Sequence, residues 1–202
     1  MQDFKRINLT ETFKMMNENF GLNAREFPSF SFGTHEQCRF IIKKAIMATD
    51  HTIKNFEFIP ELDELAHWMT NTGGKGLFLT GDVGRGKTNI VHYGIPLIFM
   101  HYQNKVVKTV HADQLAQRFD DLKSKKFIAV DEMGVESIVN DFGVKYEPFN
   151  RLFNLAENES KILFVSTNLD SGQVLERYGL RTLDRIKRLC RIIKFRGDSL
   201  RR

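Results

Sequence analysis

Cysteine is scarce in this chain. Of 202 residues only Cys38 and Cys190 are cysteine, too far apart to form a metal or redox spacing. That excludes a disulfide scaffold and a cysteine-based zinc site, and leaves two buried or half-buried thiols in a reducing cytosol. Long apolar runs are also missing. The longest lies near Ile95 to Met100 and contains Pro96, whereas a membrane span needs ~18 residues. The start, Met1-Gln2-Asp3-Phe4-Lys5-Arg6, lacks the apolar core of a signal peptide. No membrane association is expected, and the expected location is cytoplasmic. Internal repeats and low-complexity segments are absent too. What remains suits one α/β domain with a modest appendage, long enough to bury a sizeable core.

The net charge of +5 is unevenly placed. Glu176 to Arg202 carries ten lysines and arginines against three acids, while the other 175 residues are slightly acidic. The basic character therefore belongs to the C-terminal end, where it would attract phosphate, of nucleic acid or of nucleotide.

Residues 1–50 are rich in phenylalanine (Phe4, Phe13, Phe20, Phe27, Phe30, Phe32, Phe40) and hold one expected helix, from His35 to Ala48. This part is too short to be a stable domain, so its aromatics either pack on the core or face a partner. The expected organisation is thus a partner-binding or packing segment over 1–50 and a core over 51–202. Ile59, Leu62, Leu65, Ala66 and Met69 recur at helical spacing, with Pro60 at a first helical position. The chain then alternates. Strands are expected at Gly76–Thr80, Lys105–Val110, Phe127–Val130, Lys161–Ser166 and Arg191–Phe195. Helices are expected between them, one of them toward Tyr102 and kinked by Pro96, another marked by Leu115, Phe119 and Leu122, and another by Phe149, Leu152, Phe153 and Ala156. Two short helices, at about 170–178 and 180–189, precede the last strand. Continuous apolar strands alternating with helices predict a parallel sheet covered on both faces.

Into this pattern falls Gly81-Asp82-Val83-Gly84-Arg85-Gly86-Lys87-Thr88, which reads G-x-x-x-x-G-K-[ST] between a strand and a helix. Gly84 and Gly86 carry no Cβ, so the backbone can turn its N–H groups onto anionic oxygens. The loop feeds a helix N-terminus, which favours negative charge. Lys87 is placed to reach the β- and γ-phosphates and the Thr88 hydroxyl to ligate Mg²⁺. The strand Phe127–Val130 ends in Asp131-Glu132, at the sheet edge where α/β proteins bind ligands. There the first carboxylate would hold Mg²⁺ and the second would activate water. The next strand ends Ser166-Thr167-Asn168. Thr167 or Asn168 could bond the attacking water and the γ-phosphate, or else Asn168, Asp170 or Ser171 caps the following helix. Farther on, Arg181, Arg185 and Arg188 share one helical stripe, suited to phosphate or to a neighbour's nucleotide.

The order of phosphate loop, V-D-E, S-T-N-L and Y-G-x-R-x-x-D-R-I resembles the AAA+ ATPases of the DnaC-like helicase-loader and IstB-like transposition-helper group, over about Phe56 to Arg202. The resemblance implies a P-loop NTPase fold of AAA+ type: three layers, α-β-α, around a five-stranded parallel sheet of order 5-1-4-3-2, with no large C-terminal lid. It implies ATP and Mg²⁺ as cofactors, with Gly81 to Asn89 and Arg201 around the nucleotide and with Thr88 and Asp131 on the metal. Lys87, Glu132, Asn168 as first sensor and Arg185 as a trans-acting finger would serve hydrolysis, with Arg201 or Arg181 as second sensor. The implied partners are a replicative helicase (alternatively a transposase), single-stranded or duplex DNA, and further copies of the chain assembled with nucleotide. The stretch from Val110 to Phe127 is short, near where such loaders place an extra helix that helps grip single-stranded DNA, and absence of that helix would weaken the expectation of DNA binding. A small-molecule kinase and a non-hydrolysing nucleotide switch are competing readings, and the first lacks a use for Ser166-Thr167-Asn168.

Overall fold

The computed structural model describes residues 8–20, 26–53, 56–141 and 144–200. Among the described residues the strands are β1 Gly76–Gly81, β2 Lys108–His111, β3 Phe127–Met133, β4 Val139–Asp141, β5 Val144–Tyr146, β6 Ile162–Thr167 and β7 Cys190–Phe195. The α-helices are α1 Leu9–Phe20, α2 His35–Thr49, α3 Pro60–Thr70, α4 Ile95–Gln103, α5 Phe119–Lys123, α6 Pro148–Asn158 and α7 Ser171–Leu189. The main sheet is ordered β2-β3-β6-β1-β7 and every pair in it is parallel. Counting its strands alone, this is the expected order 5-1-4-3-2. The antiparallel hairpin β4–β5 stands apart from it.

Alternation along the strands sorts the core onto two faces. Leu77, Leu79, Phe127, Ala129, Phe164 and Ile193 pack with α2, α3 and α4. Phe78, Ile128, Val130, Leu163 and Val165 pack with α5, α6 and α7. Helices on both faces make the three-layer α/β architecture. Phe99 of α4 is fully buried among rings, 5.1 Å from Phe164, 5.8 Å from Phe127 and 5.3 Å from Phe30. Each such pair adds about 0.5–1.5 kcal/mol beyond the burial itself.

The N-terminal phenylalanines divide between two surroundings. Phe32 is buried and Phe27 and Phe30 pack on the core, whereas Phe13 and Phe40 are exposed. Helix α2 belongs to the core, burying Cys38, Ile41, Ile42, Ala45 and Ile46, and Thr34 with Gln37 closes its start in a capping box. Burial pushes the Cys38 thiol up, and the Cys190 thiol up to about 12, so neither is a reactive thiolate.

Three local expectations are refined. The helix after the loop is not uniformly α-helical: the turn from Asn89 to Gly94 is π-helical and runs on through helical backbone at Gly94 and Ile95 into α4, with Pro96 in its first turn. Leu115, Phe119 and Leu122 are all buried, but Leu115 directly follows a 3₁₀ turn at Ala112–Gln114 while the other two lie on the five-residue α5, so they do not share one helix. The two helices after β6 are joined across Gly179, whose φ of 78° and ψ of 166° are non-helical, so the direction changes there. Among the described residues no helix is long and apolar enough to cross a membrane.

Candidate functional site

The loop from Gly81 to Thr88 leaves β1 at the C-terminal edge of the sheet and enters the π-helical turn at Asn89. Gly84 and Gly86 have φ of 80° and 86°. A Cβ on Gly86 would meet nothing within 4 Å, so that stretch of backbone faces open space. A Cβ on Gly84 would lie 2.2 Å from Ser199 Oγ. Lys87 is buried and its Nζ donates to the carbonyls of Gly81 and Asp82, 2.7 Å from each. Thr88 and Asn89 are half-buried at the start of the helix, and the Asn89 Oδ1 accepts from Thr49 Oγ1 at 2.8 Å. Asp82 and Val83 are exposed.

The loop is braced from two sides. Arg85 Nη2 donates to both oxygens of Glu61 on α3 at 3.2 Å, and Glu61 Oε1 also accepts from the Arg196 N–H at 2.9 Å. Both side chains of the Arg85–Glu61 pair are about nine-tenths buried. The chain after β7 then lies along the loop: the Gly197 N–H reaches Asp82 Oδ2 and the Leu200 N–H reaches the Gly84 carbonyl, each at 2.9 Å. Arg201 lies outside the described residues.

Asp131 and Glu132 sit on a bulge. Register runs Val130 to Val165, then Met133 to Thr167, so two residues of β3 face the single Ser166 of β6. Glu132 takes a φ of 61°, the left-handed region that side chains seldom adopt. Ser166 holds the bulge together, because its hydroxyl accepts from the Glu132 N–H at 2.9 Å and donates to Asp131 Oδ1. Asp131 is consequently buried, whereas the Glu132 side chain is 43% exposed. One neighbour of Glu132 was not legible in advance. His111, ending β2, places Nε2 3.0 Å from Glu132 Oε2 and Nδ1 2.8 Å from Asp113 Oδ1. Partial burial works against the imidazolium, but the hydrogen bonds and charges of Asp113 and Glu132 outweigh it and raise the His111 pKa.

The alternatives at the end of β6 separate cleanly. Asp170 is the N-cap of α7, accepting from Gly172 and Gln173 in a capping box. Thr167 is buried and donates to the Met133 carbonyl at 2.6 Å. Asn168 is left exposed, on the wall of a cleft of ≈ 960 Å³ that Gly86, Lys87, Thr88 and Glu132 also line. Ile53, Phe56, Ile59 and Tyr93 are among its apolar lining residues.

The three stripe arginines share a second, polar hollow of ≈ 470 Å³ with Asn154, Glu157 and Asp184. Arg185 is buried within it: Nε donates to Glu157 Oε2 at 2.7 Å and Nη2 to Asn154 Oδ1 at 2.9 Å. Arg188 pairs with the other oxygen of Glu157 and is half exposed, and Arg181 is exposed.

The donor set fits a nucleotide with its metal: an open positive-φ backbone, a lysine at its end, and a hydroxyl and a carboxylate of the kind that bind Mg²⁺. No protein-family model matches the chain, and no curated protein matches it. Solved structures do. A structure from Streptococcus pyogenes serotype M3, assigned as a primosome component, is 16% identical with a TM-score of 0.51, over 85% of this chain and 86% of its own. DnaI is 21% identical with a TM-score of 0.51, over 79% and 84% of the two chains. The DnaC helicase loader is 17% identical with a TM-score of 0.50, over 76% and 89%. The chain therefore shares the α/β fold of DnaI and of the DnaC helicase loader, with its five-stranded parallel sheet.

Proposed function

We propose that this chain is an Mg²⁺-dependent ATPase of DNA replication that loads a replicative helicase onto DNA. The observation that carries the reading is the convergence of Lys87, Thr88, Glu132 and Asn168, from three separate stretches of chain, on one cleft beside a loop with open, positive-φ backbone. Thr88 and Asp131 would hold Mg²⁺, which supplies charge neutralisation at the phosphates when bound. Gly84, Gly86 and Lys87 bind and orient the triphosphate. Glu132 takes the proton of the attacking water and Asn168 positions that water. The fold shared with DnaC and DnaI supports placing this chemistry in helicase loading.

Arg185 is the proposed finger, supplied to the next copy's nucleotide. Its guanidinium is held by Glu157 and Asn154, so it must exchange these partners on assembly. The partner-binding segment within residues 1–50 narrows to α1, where Leu9, Phe13 and Met16 expose one stripe at i, i+4, i+7.

The test has two arms. Glu132→Gln and Arg185→Ala should each lose at least about 100-fold in turnover, and mixing them should restore part of it through mixed interfaces. Wild-type turnover from both variants alone overturns the composite site. The full chain used as bait should capture a hexameric helicase, and this should fail with Phe13→Ala/Met16→Ala. Capture of a transposase instead replaces loading by transposition.

A further inference from the structure

A cluster outside the nucleotide cleft combines two imidazoles and a carboxylate. His35 opens α2, while Asp63 and His67 lie one turn apart on α3. His35 Nε2 is 3.3 Å from Asp63 Oδ1, and His67 Nε2 is 3.7 Å from Asp63 Oδ2. One ligand atom from each of the three residues lies within 4.8 Å of the others. The two rings stack, centroids 3.9 Å apart and planes 19° from parallel.

We propose that His35, Asp63 and His67 bind one divalent transition-metal ion of the zinc class. Three ligands about 2.0–2.1 Å from a tetrahedral ion stand about 3.3–3.5 Å from each other; the His35 Nε2–Asp63 Oδ1 separation of 3.3 Å matches this, and the His67 Nε2–Asp63 Oδ2 separation of 3.7 Å must close by a few tenths of an ångström. His35 Nε2 is buried and makes no hydrogen bond despite facing the carboxylate, a cost that a metal bond removes. Two nitrogens and one oxygen select Zn²⁺, Co²⁺ or Ni²⁺ over Mg²⁺ and Ca²⁺. Arg39 also contacts Asp63 Oδ1 and is the group that competes with the ion, but its side chain is 41% exposed and stacks on Phe58, so it can withdraw to that ring.

The ion would fasten the start of α2 to α3. Its reach extends beyond the cluster, because α2 ends roughly 20 Å away at the nucleotide cleft, where Thr49 holds Asn89 and where Ile46 and Asp50 line the wall. Two turns of α3 thus carry the ion and, at Glu61, the brace of Arg85.

The test uses the full chain stripped by a chelator and titrated with Co²⁺ and Zn²⁺ in the absence of nucleotide. The expected result is one equivalent of Co²⁺ with the intense visible absorption of a four-coordinate site, displaced by Zn²⁺. His35→Ala, at the first turn of α2, and His67→Ala, at an exposed position, should each weaken binding at least about 100-fold while leaving the far-ultraviolet spectrum intact. Arg39→Met should bind as tightly as the parent or tighter. The proposal is overturned if the His35→Ala/His67→Ala variant binds as the parent does, or if the parent shows only weak, six-coordinate cobalt absorption. Neither outcome bears on nucleotide hydrolysis, whose residues the variants leave in place.

Discussion

Arg185 and Glu157 form a buried ion pair, Nε to Oε2 at 2.7 Å, with both side chains less than a tenth exposed. Glu157 also receives Arg188, and Asn154 receives the remaining face of Arg185. Arg185 is therefore, within its own chain, part of the packing between α6 and α7.

That arrangement has an energetic signature. Removing the acid leaves a buried guanidinium uncompensated, so Glu157→Ala should lose about 3–5 kcal/mol of unfolding free energy. The double variant Glu157→Met/Arg185→Met, which removes both charges and keeps the volume, should recover most of it. Urea titrations of the three chains read this directly. A loss below about 1 kcal/mol for Glu157→Ala would show that the pair is solvated.

The brace under the phosphate loop behaves similarly but reports on binding. Glu61 satisfies Arg85 and the Arg196 N–H together. Glu61→Gln should keep the fold yet loosen the loop, weakening affinity for a fluorescent ATP analogue on the order of tenfold, since a charge-assisted contact carries about 1.5–3 kcal/mol. Unchanged affinity would mean that the segment after β7 holds the loop without it.

Crowding separates the two central glycines of the loop. Alanine at Gly84 meets both a positive φ and Ser199 Oγ, whereas alanine at Gly86 meets the positive φ alone. Backbone strain should cost each variant about 1–2 kcal/mol. Gly84→Ala should in addition displace the segment around Ser199, and Ser199→Gly should relieve that extra part. Thermal melts without nucleotide are the measurement, and equal losses at both positions would contradict the assigned contact.

His111 makes stability depend on pH. Its pKa is raised in the fold, so the imidazolium binds its acids more tightly there than in the unfolded chain. The contribution is complete below the ordinary histidine value of about 6.5 and fades as the pH rises through the raised value. The melting temperature of the wild type should exceed that of His111→Gln by roughly 1–3 °C at pH 5.5, because the pair is partly exposed. The gap should close by pH 9. A gap that widens with pH would reverse the sign and refute the pairing.

Much of the site was legible because its parts are local. Glycines, a lysine and a threonine at fixed spacing after an apolar strand specify the loop, and an apolar strand ending in Asp131-Glu132 specifies its companion. What stayed hidden was the choice of partners. Asn168 and Asp170 were interchangeable as helix cap until the capping box settled on Asp170. Ser166 reads as one more strand residue until the bulge sets it opposite two carboxylates.

The sequence by itself determined the alternation of strands and helices, the phosphate loop, the paired acids and the arginine stripe, since each depends on neighbours within a few residues along the chain. Only the tertiary structure decided that His111 meets Glu132 across 21 positions, that Glu61 meets Arg85 across 24, and that Glu157 takes Arg185 across 28. The physical reason is the packing of elements that are distant in sequence. The sheet order β2-β3-β6-β1-β7 sets His111 of β2 beside Glu132 of β3, and the packing of helices brings Glu61 of α3 to the loop after β1 and Glu157 of α6 to Arg185 of α7, neither of which local periodicity encodes.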